Sequence, residues 1–318
     1  MAALLKHGWT KPSTILYASE YPPNQGAFSY ALGQALDVGA HLIIFHVFAG
    51  RETPLEDPAR RSIYARARIE RNRFEPLAQR ARALGLQCRI VVRPGDPAEQ
   101  ILACLREKKV DRLFLGARTP GPVGRLLVGS VAERVLRSAD VPVGIVGPYI
   151  IGGNCQNCAT RTILCSVAAH RTSRIVVAFA AEIAAGTGAL LILQQVIPHQ
   201  DSSQILAGRS LQQAEADLAA LIPQDLRNAI AFETHVLLGD PSEEVLYQGR
   251  VRNANLIVLG AHEASHFAAI TPACFVYKVL AYARCPVLTL SPVLMRGCGA
   301  LNEVAPVDLE DRFLAGVI

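Results

Sequence analysis

Gly95-Asp96-Pro97-Ala98-Glu99 returns 144 residues later as Gly239-Asp240-Pro241-Ser242-Glu243. The same spacing carries Leu115-Gly116-Ala117 onto Leu259-Gly260-Ala261 and Val141-Pro142-Val143 onto Cys285-Pro286-Val287. Upstream, a spacing of 148 or 149 carries Thr14-Ile15-Leu16 onto Thr162-Ile163-Leu164, and Gly39-Ala40-His41-Leu42-Ile43 onto Gly188-Ala189-Leu190-Leu191-Ile192. Five ordered matches at nearly constant spacing mean that one domain is written twice. The change of spacing falls before the Gly-Asp-Pro turn, in a connection whose length can vary at small cost.

Within the first copy, Ile15–Ala18, Leu42–Phe48, Cys88–Val92, Arg112–Gly116 and Val143–Val146 read as strands, apolar enough to be buried on both faces. Between them Phe28–Val38, Pro58–Leu84, Pro97–Lys108 and Ser130–Ser138 have helical spacing. Strands alternating with helices predict an α/β fold with a parallel, doubly wound sheet and helices on both faces. Each copy is thus expected to be a five-stranded sheet, with the two copies joined as a pseudo-dimer through their terminal strands. Ile175–Val196 is apolar over nearly a membrane-spanning length, but Glu182 and Gly186-Thr187-Gly188 interrupt it, so it reads as a buried helix followed by a buried strand.

The 318 residues are 51% apolar and 19% charged, which excludes a small disulfide scaffold and a largely disordered chain. A formal charge of +5 is too low for a dedicated nucleic-acid binder. Much of the positive charge is concentrated in one helix: Arg60, Arg61, Arg66, Arg68, Arg71, Arg73, Arg80 and Arg82 surround a stripe of Ile63, Ala67, Phe74, Leu77, Ala81 and Leu84. That pattern is a solvated helix face first and an acidic docking face second; the matching stretch of copy two, Ser203–Leu221, is nearly uncharged. Eight scattered cysteines and an N-terminus without a charged leader lead to the expectation of a reducing, cytoplasmic setting.

The stretch with chemical promise lies after the fourth strand. There Gly116-Ala-Arg118-Thr119-Pro-Gly121-Pro-Val-Gly-Arg125 leads to Gly129-Ser130-Val131 at the start of a helix. Glycines let the backbone come close to a ligand, and free amides at a helix start favour phosphate. Ser130 is expected either to cap the helix or to donate its hydroxyl, with Arg118 and Arg125 supplying positive charge. The loop is neither a Walker A loop nor a Gly-x-Gly-x-x-Gly turn.

This loop resembles the signature of the universal stress protein family, Gly-x-x-Gly, nine residues, then Gly-Ser/Thr. The resemblance spans both repeats, so the chain looks like a tandem member. It implies a five-stranded parallel α/β domain that often pairs through its last strand and, in many members, binds ATP, here with or without Mg. Carried over by position, Gly116 and Gly129-Ser130 match the ends of the signature, and Thr119 stands where its second glycine belongs, with Gly121 two residues on. Glu20 takes the place of a strand-one aspartate that contacts the nucleoside. Val47 matches the adenine-recognising backbone, while Arg118 and Val131 match positions near the phosphates. In copy two Ala168, Gln195, Glu263 and Ala273-Cys274 stand at the positions of Glu20, His46, Thr119 and Gly129-Ser130, so its site is expected to be degenerate and the copy structural.

The remaining candidates are weaker. Cys155-Gln-Asn-Cys158 lies in the linker without a second matching pair, leaving Cys165 and Cys298 as thiols able to join it; His262-x-x-x-His266 falls in a loop, so neither reads as a metal site. No nucleophile elbow is present, and Asp96 and Asp240 are expected to cap helices. The domains expected are 12–148 and 160–292, with a linker at 149–159 and a tail from 293 to 318. The function expected is regulatory binding of ATP or a related adenine nucleotide in copy one, without catalysis; a nucleotide-independent scaffold is the alternative. Partners are expected to be the nucleotide, an unknown protein and a second copy or pseudo-dimer, with no membrane and no nucleic acid.

Overall fold

The structure, a computed structural model, describes residues 10–50, 59–117, 129–148, 150, 160–168, 172–199, 202, 206, 210–260 and 275–299. Copy one runs β1 (Thr14–Ala18), α1 (Gln25–Val38), β2 (His41–Phe48), α2 (Ala59–Ala83), β3 (Cys88–Pro94), α3 (Pro97–Glu107), β4 (Arg112–Gly116), α4 (Ser130–Ser138) and β5 (Val143–Val146). Copy two repeats the order with β6 (Thr162–Ser166), α5 (Ser173–Thr187), β7 (Leu190–Ile197), α6 (Leu211–Ala219), α7 (Gln224–Arg227), β8 (Phe232–Leu238), α8 (Pro241–Val251), β9 (Leu256–Gly260), α9 (Phe275–Tyr282) and β10 (Val287–Leu290). The change of repeat spacing sits where expected. Between the second and third strands, copy one has the single long helix α2, and copy two has α6 and α7, with Pro223 starting the second of these.

Among the described residues the strands form one ten-stranded sheet in the order β3-β2-β1-β4-β5-β10-β9-β6-β7-β8. Every pairing inside a copy is parallel. The joint between copies is antiparallel, with Val287, Leu288 and Thr289 of β10 facing Ile145, Gly144 and Val143 of β5. The pseudo-dimer through terminal strands is therefore present within one chain. Burial on both faces explains the unbroken apolar runs: β1 and β7 are buried at all but their first residues, and β5 is buried throughout.

One core layer lies under α1, α2, α5 and α6, the other under α3, α4, α8 and α9, and each continues across both copies. Fully buried side chains such as Phe28, Phe45, Phe74 and Phe114 each contribute roughly 1.5–3 kcal/mol. The apolar stretch from Ile175 is α5 and β7, parted by Gly188 in the left-handed region at φ 69°. No helix among the described residues is long and apolar enough to cross a membrane.

Several expectations need correction. Leu84 is 48% exposed, because α2 ends at Ala83 and the stripe ends with it. The basic helix presents a solvated face as expected, with Arg66, Arg68, Arg71, Arg73, Arg80 and Arg82 all exposed, while several of these arginines also reach back to their own domain. Arg71 and Arg82 donate to the carbonyls of Ile90 and Cys88, and Arg66, Arg73 and Arg80 lie over the rings of Phe48, Tyr21 and Phe28. The side chains of Arg60 and Arg61 lie outside the described residues. Cys165 and Cys298 are buried, and burial pushes the Cys165 thiol far up, so neither suits exchange with a linker thiol. The tail begins as α10 (Pro292–Gly299), which buries Leu294, Met295 and Cys298 and, through Ser291, donates a hydrogen bond to the carbonyl of Ala139 in copy one. Cys155, Cys158, His262, His266 and residues 300–318 lie outside the described residues.

Asp96 and Asp240 cap α3 and α8 as expected, each followed by proline. The amide of Glu99, with Arg134 beside it, holds the Asp96 carboxyl below the usual carboxylate range. The Ser242 hydroxyl and the Glu243 amide do the same for Asp240. A folded-state value lowered in this way gives stability that is present above the unfolded value of about 3.9 and is lost as pH falls through the folded value. Asp240→Ala is expected to cost about 1 kcal/mol near neutrality. The gap in urea midpoint between variant and parent should close as the pH is lowered through the carboxylate range.

Candidate functional site

In copy one the chain goes to one side of β1 to form β2 and β3, then crosses to the other side for β4 and β5. The gap between the carboxyl ends of β1 and β4 is therefore the switch point where open α/β sheets bind ligands. A cavity of about 460 Å³ opens there. Its floor is apolar, from Ala18, Phe45, Ile101 and Leu115; its rim carries Ser19, Glu20 and Asn24 on one side and Gly129, Ser130 and Val131 on the other, with Val47 and Gly116 between.

Local chemistry builds this shape. Asn24 caps α1 by accepting from the Ala27 amide at 2.8 Å, and its own carbonyl accepts from the Tyr17 hydroxyl at 2.8 Å. Burial pushes the Tyr17 hydroxyl well above its usual range and keeps it a donor. A Cβ on Gly116 would lie 2.6 Å from the Asn24 side chain, so the strand end must be glycine for the cap to fit. At the far end of the signature Gly129 is the N-cap of α4 with φ 95°, a conformation that favours glycine.

The N-cap position belongs to Gly129 and makes no side-chain cap bond, which corrects the capping role expected for Ser130. Ser130 is instead the first residue of the helix, exposed on the cavity rim. The amides of the first turn of α4 face outward with the partial positive charge of a helix start. Among the described lining residues Glu20 is the only charged one.

Six of the expected site residues, Glu20, Val47, Gly116, Gly129, Ser130 and Val131, thus surround one cavity. Arg118, Thr119 and Arg125 lie outside the described residues, as do Glu263, Ala273 and Cys274 of copy two. A second cavity, of about 400 Å³, lies at the opposite strand ends of copy two beside Tyr247, Arg250, Tyr282 and Arg284, away from any signature residue.

Sequence reading missed what holds the Glu20 loop. His46 is buried, and its Nδ1–H donates to the Ser19 carbonyl at 2.9 Å; a carbonyl can only accept, so that nitrogen carries the proton. Its Nε2 lies 3.7 Å from the carboxylate of Glu70, also buried, which accepts from Arg73 at 2.8 Å. The signal was present: the α2 stripe passes from Ala67 to Phe74, and Glu70 fills the missing turn. His46 fixes the peptide that precedes Glu20. His46→Leu is expected to cost about 0.5–1.5 kcal/mol of stability, because the Ser19 carbonyl loses its donor; His46→Asn, which keeps a donor near Nδ1, should recover part of the loss, and equal urea midpoints for all three chains would mean that this hydrogen bond does not hold the loop.

Comparison with known proteins agrees with this architecture. The model of the universal stress protein family matches residues 13–147 and again 159–291. This chain belongs to the universal stress protein family. A universal stress protein of Thermus aquaticus is 33% identical over 142 residues, covering 42% of this chain and 97% of that protein. Among solved structures, a universal stress protein from Archaeoglobus fulgidus superposes with a TM-score of 0.66 at 20% identity, over 89% of this chain and 97% of its own. A functionally unknown protein from Pseudomonas aeruginosa gives 0.61 at 17% identity over 93% and 99%. At these identities the two structures speak for the tandem fold of this universal stress protein and not for its ligand.

Proposed function

We propose that copy one binds ATP or a related adenine nucleotide as a regulatory ligand, and that copy two shapes the pseudo-dimer without binding it. The observation that carries this reading is the pairing, across one cavity, of an acid with a helix start. Glu20 stands beyond β1 and the Gly129 N-cap opens α4, with an apolar floor between them. Glu20 would accept from ribose hydroxyls, the Val47 backbone would meet the adenine edge, and the first-turn amides of α4 with Gly116 and Ser130 would hold phosphate oxygens. Arg118 would add charge there.

Among the described residues no cluster of three His, Cys, Asp or Glu side chains could hold a metal. A Mg²⁺ would therefore arrive on the phosphates, where it would neutralise their charge. Nucleotide would favour the conformation it binds by mass action and so change the surface offered to a partner protein in the cytoplasm. No turnover is needed for this role.

Calorimetric titration with ATP, with and without Mg²⁺, tests the proposal: binding at one site per chain is expected, with a rise in Tm. No heat and no thermal shift at millimolar ATP would leave the nucleotide-independent scaffold. Multiple-turnover release of phosphate that Ser130→Ala abolishes would make the protein an enzyme.

A further inference from the structure

The repeat shows how the cavity of about 400 Å³ in copy two arises. The elements around it keep the spacing of 144: α3 and α8, β4 and β9, and β5 and β10 begin that far apart, so each lining residue has a counterpart in copy one. There Leu105, Val110 and Val141 are buried in one core layer. Gly249, Ala254 and Cys285 stand in their places, and all three line the cavity. Each exchange removes side-chain volume at the same spot, so copy two is hollow where copy one is packed. Interiors are close-packed, and truncating side chains without collapse costs stability.

The rim has changed in the other direction. Ala103, Ser138 and Asp140 of copy one are matched by Tyr247, Tyr282 and Arg284, which edge the hollow. The two tyrosines are 50% and 45% exposed, and the Arg250 guanidinium lies over the Tyr247 ring at 5.9 Å. Two guanidinium groups against the one carboxylate of Glu243 leave the described lining positive. The floor is apolar, with Leu246 and Ile257 beside Cys285. Burial pushes the Cys285 thiol up to about 12, so it sits there as a small neutral group and not as a nucleophile. Hollowing alone is lost packing, and a changed rim alone is surface drift. Their coincidence in one cavity calls for an occupant with an apolar body and a negative end.

We propose that this cavity binds a small aromatic carboxylate. The ring lies on the floor beside the tyrosines, in the space that the Leu105 side chain fills in copy one, and the carboxylate accepts from Arg284 and Arg250. A bare anion would leave the apolar floor uncovered, and a neutral ring would leave the guanidinium groups unused. The volume is in the range of small-molecule pockets. The site shares no residue with the copy-one cavity and does not rest on nucleotide binding there.

The test titrates naphthoate into the full chain by calorimetry, beside naphthalene methanol, which keeps the ring without the charge. Two variants restore copy-one residues, Gly249→Leu and Arg284→Asp. A Cβ on Gly249 would lie 3.4 Å from Ile257 and 3.8 Å from Leu164, ordinary contacts, so Gly249→Leu is expected to fill the floor with a Tm at or above the parent's. The parent is expected to bind one naphthoate per chain, and naphthalene methanol at least about tenfold more weakly. Gly249→Leu should weaken both ligands at least about tenfold, whereas Arg284→Asp should weaken naphthoate alone by about as much, with Tm unchanged. A parent that binds no naphthoate at millimolar concentration overturns the proposal, and so does undiminished binding in Gly249→Leu. Equal affinity for the charged and the neutral ring, indifferent to Arg284→Asp, overturns it as well, because the cavity would then be only an apolar hole. ATP affinity is expected to be the same in all three chains; should ATP not bind at all, the copy-one reading falls and this one is still decided by the naphthoate titrations.

Discussion

Gly129→Glu is expected to weaken ATP binding by about a hundredfold or more, equivalent to about 2.7 kcal/mol, with the fold intact. Two effects combine. The residue has φ 95°, so any side chain there is strained, yet no neighbouring atom lies within 4 Å of an added Cβ, so the strain is confined to one turn. The new carboxylate then stands at the start of α4, where it competes with phosphate for the same amides and repels its charge. Gly129→Ala isolates the strain alone, about 1–2 kcal/mol of stability, and should leave affinity within about tenfold. Ala273→Glu, its counterpart in copy two, should leave ATP binding unchanged. Calorimetry on the three variants decides the matter: equal ATP affinity in Gly129→Glu and the parent would remove the α4 start from the site.

Gly144→Val is expected to destabilise the chain by about 3 kcal/mol, the upper range for overpacking, or about 6–12 °C in Tm. A Cβ on Gly144 would lie 2.3 Å from the Phe114 ring, which is fully buried and packs edge-on against Tyr30 at 5.2 Å between centroids. Gly144 also faces Leu288 across the antiparallel joint, so a displaced β5 disturbs both copies. Scanning calorimetry should show one cooperative transition in the parent and a lower, broader or split one in the variant. Adding Phe114→Leu should recover part of the loss. An unchanged Tm for Gly144→Val would contradict the packing of Phe114 on β5.

Most of the fold was legible in the sequence because its strands are covered on both sides. Continuous runs such as Leu42–Phe48 leave no alternation to misread, and Gly39, Gly188 and the two Asp-Pro turns mark helix boundaries by backbone chemistry that depends on few neighbours. Gly116 and Gly129 were also legible, though for separate reasons the sequence does not distinguish: close approach of Asn24 at one and positive φ at the other. What escaped depended on partners distant in sequence. Glu70 looks like another charge on a charged helix until β2 brings His46 to it. The copy-two cavity becomes visible only when the fold brings Gly249 and Ala254 to Cys285, and Tyr247 to Tyr282. α10 carried a local signal, proline followed by Leu294, Met295 and Cys298 at helical spacing, but its packing on copy one could not be foreseen.

The antiparallel joint between β5 and β10 bears on how such a protein can change over time. In an assembly of two identical chains every substitution appears twice, once on each side of the symmetry axis, and one that suits one side must be tolerated by the other. Tethering both halves in one chain lifts that constraint. The halves meet at an effective concentration fixed by the linker, independent of how much protein a cell makes. Their sequences are free to drift apart while the shared sheet persists, so one half can keep an inherited pocket and the other can be remodelled residue by residue.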